Sequence, residues 1–293
     1  MHPPPRPPPA LVAWVERTVG RGARVVAWRR LTGGITSIVH RVTVERHGRR
    51  AAYVLRRWAD REAHAARAVT AEAATLAALA RSDLPAPRVL GATTDPAPAV
   101  LMTRVPGRVD LMPRDRDAWL HQMARTLPRI HALAITAKPL ESWLGHRAPP
   151  PDAARPALWR DALAIAAAPP PPTRTCFIHR DYQHFNLLWS RARLTGVIDW
   201  VEASVGPPDI DVGHCRLNLA VLFSADVAER FREHYEAEAG RAVDPWWDLH
   251  ALLSYGPAWK DFLPRQIDGR APLDVAGMTR RVEDVLARTL RRL

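Results

Sequence analysis

The chain has 293 residues, 47% hydrophobic and 25% charged, enough for a sizeable core and too apolar for a disordered segment. Two cysteines cannot supply a disulfide framework, and no apolar run approaches the roughly 20 residues that span a bilayer. The formal net charge of +12 suits a polyanion without separating nucleic acid from a polyphosphate nucleotide.

Almost all of that charge is arginine, with Lys138 and Lys260 the only lysines, and residues 1–103 hold 16 arginines against seven acidic residues. The start, Met1 to Pro9, is proline-rich and lacks the apolar stretch of a signal peptide. Residues 1–10 are read as a disordered tail, and reduced thiols point to the cytoplasm.

Leu11 to Val19 has the spacing of a short amphipathic helix. Three strand-like segments follow, Arg24 to Leu31, Ile38 to Arg46 and Ala51 to Trp58. The first two are separated by Thr32-Gly33-Gly34, the second and third by His47-Gly48-Arg49-Arg50, a hairpin signal. Asp60 to Ala80 is alanine-rich with helical spacing and stops at Leu84-Pro85-Ala86-Pro87. Arg88 to Ala92 and Ala99 to Arg104 read as two further strands before a break at Pro106-Gly107. Strands around one helix describe a small mixed α+β lobe.

The remainder reads as largely helical. Asp115 to Leu133 is expected to be a helix bent or interrupted at Pro128. Pro149 to Pro151 and Pro169 to Pro172 are proline-rich connectors. Short apolar strands are expected over Thr175 to Ile178, Asn186 to Trp189 and Leu194 to Ile198. Helical patterns then cover Leu217 to Phe223, Ala225 to Ala239, Trp246 to Ser254 and Leu273 to Leu293.

Between those short strands stands His179-Arg180-Asp181-Tyr182-Gln183-His184-Phe185-Asn186, followed by Gly196-Val197-Ile198-Asp199-Trp200. Phosphoryl transfer needs mainly positioning and charge neutralisation. One carboxylate must take or orient the acceptor's hydroxyl proton, which is assigned to Asp181. An amide oxygen and a second carboxylate must hold Mg2+ against the phosphates, assigned to Asn186 and Asp199. Asp199 lies thirteen positions beyond Asn186, after two strand-like segments whose hairpin would return it towards the loop.

The order His-x-Asp-x-x-x-x-Asn, an apolar hairpin and Ile-Asp-Trp resembles the catalytic core of the aminoglycoside phosphotransferase and choline kinase-like family. The resemblance implies an α+β, protein-kinase-like two-lobed fold with a small β-rich N-lobe (11–103), a hinge (104–107) and a larger helical C-lobe (108–293). It implies transfer of the γ-phosphoryl of ATP or GTP, with Mg2+, to a hydroxyl of a small metabolite or antibiotic. Gly33, Gly34, Thr36 and Ser37 would cover the nucleotide, and Met102, Thr103 and Arg104 would present backbone to its base. In Val54-Leu55-Arg56-Arg57, Arg56 stands where the family offers a lysine to the phosphates. Glu72 would be its helix partner, with Glu62 the competitor.

Two departures stand out: arginine for lysine at 56, and His184-Phe185 where many relatives have proline and glycine. The second implies a reshaped acceptor side. Asp211 is read as a cap or loop-fixing residue, His179 and His131 as packing residues, and His214 beside Cys215 as structural, since further ligands at metal spacing are absent. No Ala-Pro-Glu segment follows Asp199, which favours small acceptors over proteins. Aminoglycosides, being polycations, would need an acidic pocket that no evident acidic cluster supplies, so sugars, amino alcohols and other hydroxylated molecules stay open. Two other readings compete: a catalytically silent kinase fold that binds a nucleotide or small molecule, and a basic nucleic-acid-binding protein. Helix-turn-helix, zinc and RNA-binding signatures that would support the latter are missing.

Overall fold

The computed structural model describes residues 8–31, 37–58, 63–142, 144 and 148–293. The chain divides into two compact units. One is Met1–Pro106 with Gly196–Val201, the other Gly107–Thr195 with Glu202–Leu293.

The first unit is built on a five-stranded antiparallel sheet. Helix α1 (Pro9–Val19) precedes strands β1 (Arg24–Leu31), β2 (Ile38–Arg46) and β3 (Arg49–Arg57), helix α2 (Ala63–Leu79), and strands β4 (Val89–Thr93) and β5 (Ala99–Thr103). Strand order is β1-β2-β3-β5-β4. Helix α1 opens with proline at its first position, where the missing N–H costs nothing. Leu11 and Val15, one turn apart, are fully buried against Val42, Val44, Leu55 and Leu101 of the sheet. The β2–β3 turn is two residues long, His47-Gly48, both left-handed at φ 51° and 72°, the geometry that matches strand twist in a tight hairpin.

The second unit holds helices α3 (Arg116–His131), α4 (Pro156–Ala166), α5 (Asp209–Leu222), α6 (Ala225–Ala239), α7 (Pro245–Leu252), α8 (Trp259–Ile267) and α9 (Met278–Leu290). Strands β6 (Lys138–Pro139), β7 (Cys176–Ile178) and β10 (Ser204–Gly206) form a small sheet in the order β6-β10-β7. Strands β8 (Leu187–Ser190) and β9 (Arg193–Val197) form a two-stranded ladder. Helix α5 is the centre of this unit: all 14 of its residues are buried. Gly213 lets α7 approach, since a Cβ there would lie 2.7 Å from Ala251 Cβ and 2.8 Å from the Asp248 carbonyl oxygen.

Some sequence expectations need correction. Helix α3 runs through Pro128 without interruption, and the Pro128 carbonyl accepts from Ala132 N at 3.0 Å. The last helix covers Met278–Leu290 rather than Leu273 to Leu293. Helix α1 begins at Pro9, inside the stretch read as a tail. Strands β6 and β10 and helices α4 and α8 were not expected as elements of their own.

Candidate functional site

Arg56 sits near the end of β3 and is 6% exposed. A buried guanidinium requires opposite charge and acceptors on its N–H groups, and three side chains supply them. Its Nε donates to Ser37 Oγ at 2.8 Å and its Nη1 to Glu72 Oε1 on α2 at 3.0 Å. Toward Asp199, Nη1 donates to Oδ1 at 2.6 Å and Nη2 to Oδ2 at 3.2 Å, a two-point fork. The Trp58 ring lies 5.1 Å from its charged carbon. Burial opposes the charge on Arg56, but Asp199 and Glu72 outweigh it and hold the guanidinium firmly protonated. Burial pushes the Glu72 carboxyl up, against the pull of Arg56. Asp199 itself has φ 67°, a left-handed backbone rare for a non-glycine residue and often found at functional positions.

In the second unit, β7 leads into the loop that carries Asp181. Asp211, fully buried in the first turn of α5, fixes that loop from below: its carboxylate accepts from His179 N at 2.8 Å and Arg180 N at 2.7 Å. His131 Nε2 lies 3.2 Å from the same carboxylate. Arg180 takes φ 71° as the chain turns. A single turn of 3-10 helix, His184–Asn186, then directs Asn186 back at Asp181.

The Asp181 carboxylate receives three donors. Gln183 Nε2 donates to Oδ1 at 2.7 Å and His214 Nε2 lies 2.8 Å from the same oxygen, while Asn186 Nδ2 donates to Oδ2 at 2.9 Å. Burial alone would raise the Asp181 carboxyl. The hydrogen bond and charge of His214, the charge of His179 and the Asn186 bond overcome it and hold the group below the usual carboxylate range. Asn186 Nδ2 also donates to the Asp181 carbonyl at 2.8 Å. Two acceptors define which end of the amide is NH2, so its Oδ1 points away from Asp181.

That orientation suits a hard cation, which takes oxygen ligands and, for Mg2+, keeps waters and substrate phosphates as well. Asn186 Oδ1 and the Asp199 carboxylate are the oxygen donors of the expected set. Among the described residues no group of three His, Cys, Asp or Glu side chains could hold a metal on its own.

Of the other expected positions, Met102 and Thr103 end β5, with Met102 buried and Thr103 N donating to the Arg88 carbonyl at 2.8 Å. Arg104 follows them and is exposed. Gly33, Gly34 and Thr36, with Glu62, lie outside the described residues. His184 is fully buried, with its ring centroid 4.4 Å from that of Phe185 and 6.2 Å from that of Trp119. His214, read from the sequence as structural, has a contact that the reading missed: it reaches Asp181. It lies 33 positions from Asp181, and no local spacing links them.

A five-stranded antiparallel sheet with helices α1 and α2 packed on it, and a helical unit holding the Asp181 loop and the β8–β9 ladder, together define the protein-kinase-like fold. The sequence profile of the phosphotransferase enzyme family matches residues 27–250, and the chain belongs to that family. Among solved structures it is similar to the macrolide 2'-phosphotransferase MphH from Brachybacterium faecium, with 18% identity, TM-score 0.60, and coverage of 94% of this chain and 97% of that one. It is also similar to LicA in complex with AMP, with 15% identity, TM-score 0.63, and coverage of 95% and 97%. A thermostable variant of aminoglycoside phosphotransferase APH(4)-Ia, in a ternary complex with AMP-PNP and hygromycin B, gives 18% identity, TM-score 0.61, and coverage of 96% and 98%. At these identities the likeness is one of fold. A curated relative, mouse acyl-CoA dehydrogenase family member 10, is 26% identical over 215 residues, 64% of this chain. The match spans only 20% of that protein's length.

Proposed function

We propose that this phosphotransferase is a small-molecule kinase that moves the γ-phosphoryl group of ATP or GTP to a hydroxyl. One observation carries the reading. Asp181 is an acceptor-only carboxylate locked by three donors, and the Asn186 that locks Oδ2 turns its own oxygen away from Asp181, the end a cation would take. In the proposed step the acceptor oxygen bonds to the γ-phosphorus as the bond to the β–γ bridging oxygen breaks. The hydroxyl proton passes to Asp181 Oδ2, and the nucleoside diphosphate leaves with the bridging oxygen.

Asn186 and Asp199 would hold Mg2+, which supplies charge neutralisation on the phosphates. Arg56 would steady the phosphates from β3, with Glu72 and Ser37 fixing its fork. Met102 to Arg104 would meet the base through backbone, and Gly33, Gly34, Thr36 and Ser37 would cover the phosphates. The acceptor is sought among aminoglycosides, macrolides, amino alcohols and sugars, the first two being named for neighbours of the same fold. No helix among the described residues is long and apolar enough to cross a membrane. The two unpaired thiols, Cys176 and Cys215, suit a reducing compartment such as the cytoplasm.

A second reading is favoured by one contact, the fork of Arg56 on both oxygens of Asp199. A cation on the expected metal ligand suits a nucleotide-binding fold without turnover. Calorimetry of ATP and GTP binding with and without Mg2+, on the native protein and on Asp199→Ala, is the first test. Metal-dependent binding lost in the variant, followed by product in an acceptor screen, supports the kinase. Tight binding with no product across the screen favours the silent fold, and no binding of either nucleotide rejects the active kinase and moves the weight to a repurposed fold that binds a small molecule.

A further inference from the structure

Helix α5 approaches the Asp181 loop with two side chains from successive turns of one face. Asp211 takes the backbone N–H groups of His179 and Arg180. Three residues on, where a helix brings a side chain back to the same face, His214 reaches the Asp181 side chain. Its Nε2 lies 2.8 Å from Oδ1. An ionised carboxylate can only accept, so Nε2 carries the proton and donates. Asn218, one turn further, donates from Nδ2 to the His214 carbonyl at 3.0 Å, and the same amide nitrogen stands 3.2 Å from Nε2. His214 is 4% exposed, so it is held by protein on all sides.

The consequence is an asymmetric carboxylate. Among the described residues Oδ1 takes two donors, His214 Nε2 and Gln183 Nε2, whereas Oδ2 takes one, Asn186 Nδ2. Gln183 rides on the same loop as Asp181 and moves with it. His214 is anchored in a helix whose 14 residues are all buried, so it ties the orientation of the carboxylate plane to the rigid core of its unit.

We propose that His214 is a positioning residue for phosphoryl transfer, holding Oδ1 of Asp181 through Nε2–H so that Oδ2 faces the acceptor hydroxyl. This role rests on the kinase reading above. It does not place His214 against the substrate. A buried donor on the shoulder of the base acts through orientation, where an error of about 1 Å costs on the order of 100-fold in rate.

The test uses MgATP with the acceptor that turns over fastest in the screen, water serving where none does. His214→Phe keeps a ring and removes the donor; His214→Gln keeps a donor. The Phe variant should lose about 100-fold in kcat while KM for MgATP stays within about twofold of native, the signature of an interaction that does not serve ground-state nucleotide binding. The Gln variant should recover most of the loss. On an Asp181→Asn background, His214→Phe should cost nothing further, because residues that act as a unit are not additive.

An unchanged kcat in His214→Phe overturns the role, as does a Gln variant equally impaired, or a full additional loss on Asp181→Asn. Should His214→Phe not fold, long-range proton–nitrogen NMR of the native protein decides instead. The Nε2-protonated tautomer, with a resonance displaced in Asp181→Ala, supports the role, and the Nδ1-protonated tautomer overturns it. A native protein without turnover overturns the kinase reading and this role together; a native protein that turns over at the same rate as His214→Phe overturns the role alone.

Discussion

Arg56 ties three elements together at a single side chain. It reaches Ser37 ahead of β2, Glu72 on α2 and Asp199 beyond β9. Glu72 is 2% exposed, and its carboxylate depends on the guanidinium. Removing one partner of a buried pair leaves the other uncompensated, which costs about 3–5 kcal/mol. Arg56→Ala should therefore lower the urea midpoint sharply, and Glu72→Gln in the same background should restore part of it. A midpoint for Arg56→Ala equal to native would show that the pair carries no stability. His184 gives the second prediction at this scale. Burial, helped by the charge of His214, lowers its imidazole to about 3 from 6.5. Burial with the charges of Arg57 and Arg30 lowers His40 to about 4. Both groups bind protons more readily unfolded than folded. Their contribution to stability is complete above pH 6.5 and is lost as pH falls through the folded values. His184→Leu should flatten the acid limb of a stability–pH curve measured between pH 7 and 4. A limb unchanged in slope would assign the acid sensitivity elsewhere.

At the scale of elements, the second unit is pinned by buried charge as well as apolar packing. Arg216 on α5, fully buried, pairs with Asp248 on α7 and with Glu229 on α6 at 2.7 Å. Thr289 on α9 donates to Asp248 at 3.1 Å, and Arg292 just beyond that helix reaches the same carboxylate at 3.1 Å. Four helices, α5, α6, α7 and α9, are thus joined through Arg216 and Asp248. Asp248→Ala should destabilise by about 3 kcal/mol or more, read as a shift in the denaturant midpoint, and Lys138→Ala, which breaks only an exposed pair with Glu202, by well under 1 kcal/mol. Equal shifts for the two would refute the argument from burial.

Elements that announce themselves locally were legible before the structure. Helix α6 spans Ala225–Ala239 as expected, because Ser224 caps it through Val227 N and Gly240 ends it in a left-handed conformation. The β2–β3 hairpin was marked by His47-Gly48. The helices that escaped notice lack such punctuation. Helix α8 contains Pro264, and α4 follows a proline-rich connector and owes its place to a distant partner, Trp159 Nε1 donating to Glu283 at 3.1 Å. Helices this short are stabilised chiefly by packing, which a local pattern does not display. The same division holds for the site. Asp181 and Asn186 are linked by five positions on one loop, whereas His214 meets Asp181 only because α5 passes beneath it.

For the whole molecule, folding and ligand binding are linked. A ligand that binds only the folded chain adds about 2.7 kcal/mol of stability at a concentration 100 times its Kd. MgATP at that excess should raise the thermal midpoint of the native protein, ATP with a chelator should raise it less, and Asp199→Ala should abolish the difference. A metal-independent shift would remove Asp199 from the nucleotide site. The net charge of +12 adds an expectation about solution behaviour. Any association with duplex nucleic acid should collapse as salt rises, the mark of counterion release, while a shaped nucleotide site should persist. Duplex binding that survives physiological salt would revive the nucleic-acid reading.

The arginine at position 56 also sets what chemistry can label this protein. Acyl phosphates of ATP and other electrophiles aimed at a nucleotide-site amine need a lone pair on nitrogen, and a guanidinium that stays protonated offers none. The chain's two lysines, Lys138 and Lys260, are each engaged with a carboxylate in the second unit, Glu202 and Asp152 respectively. Chemoproteomic surveys that find kinases through their phosphate-binding lysine should pass over this protein at residue 56, and Arg56→Lys should make it visible to them.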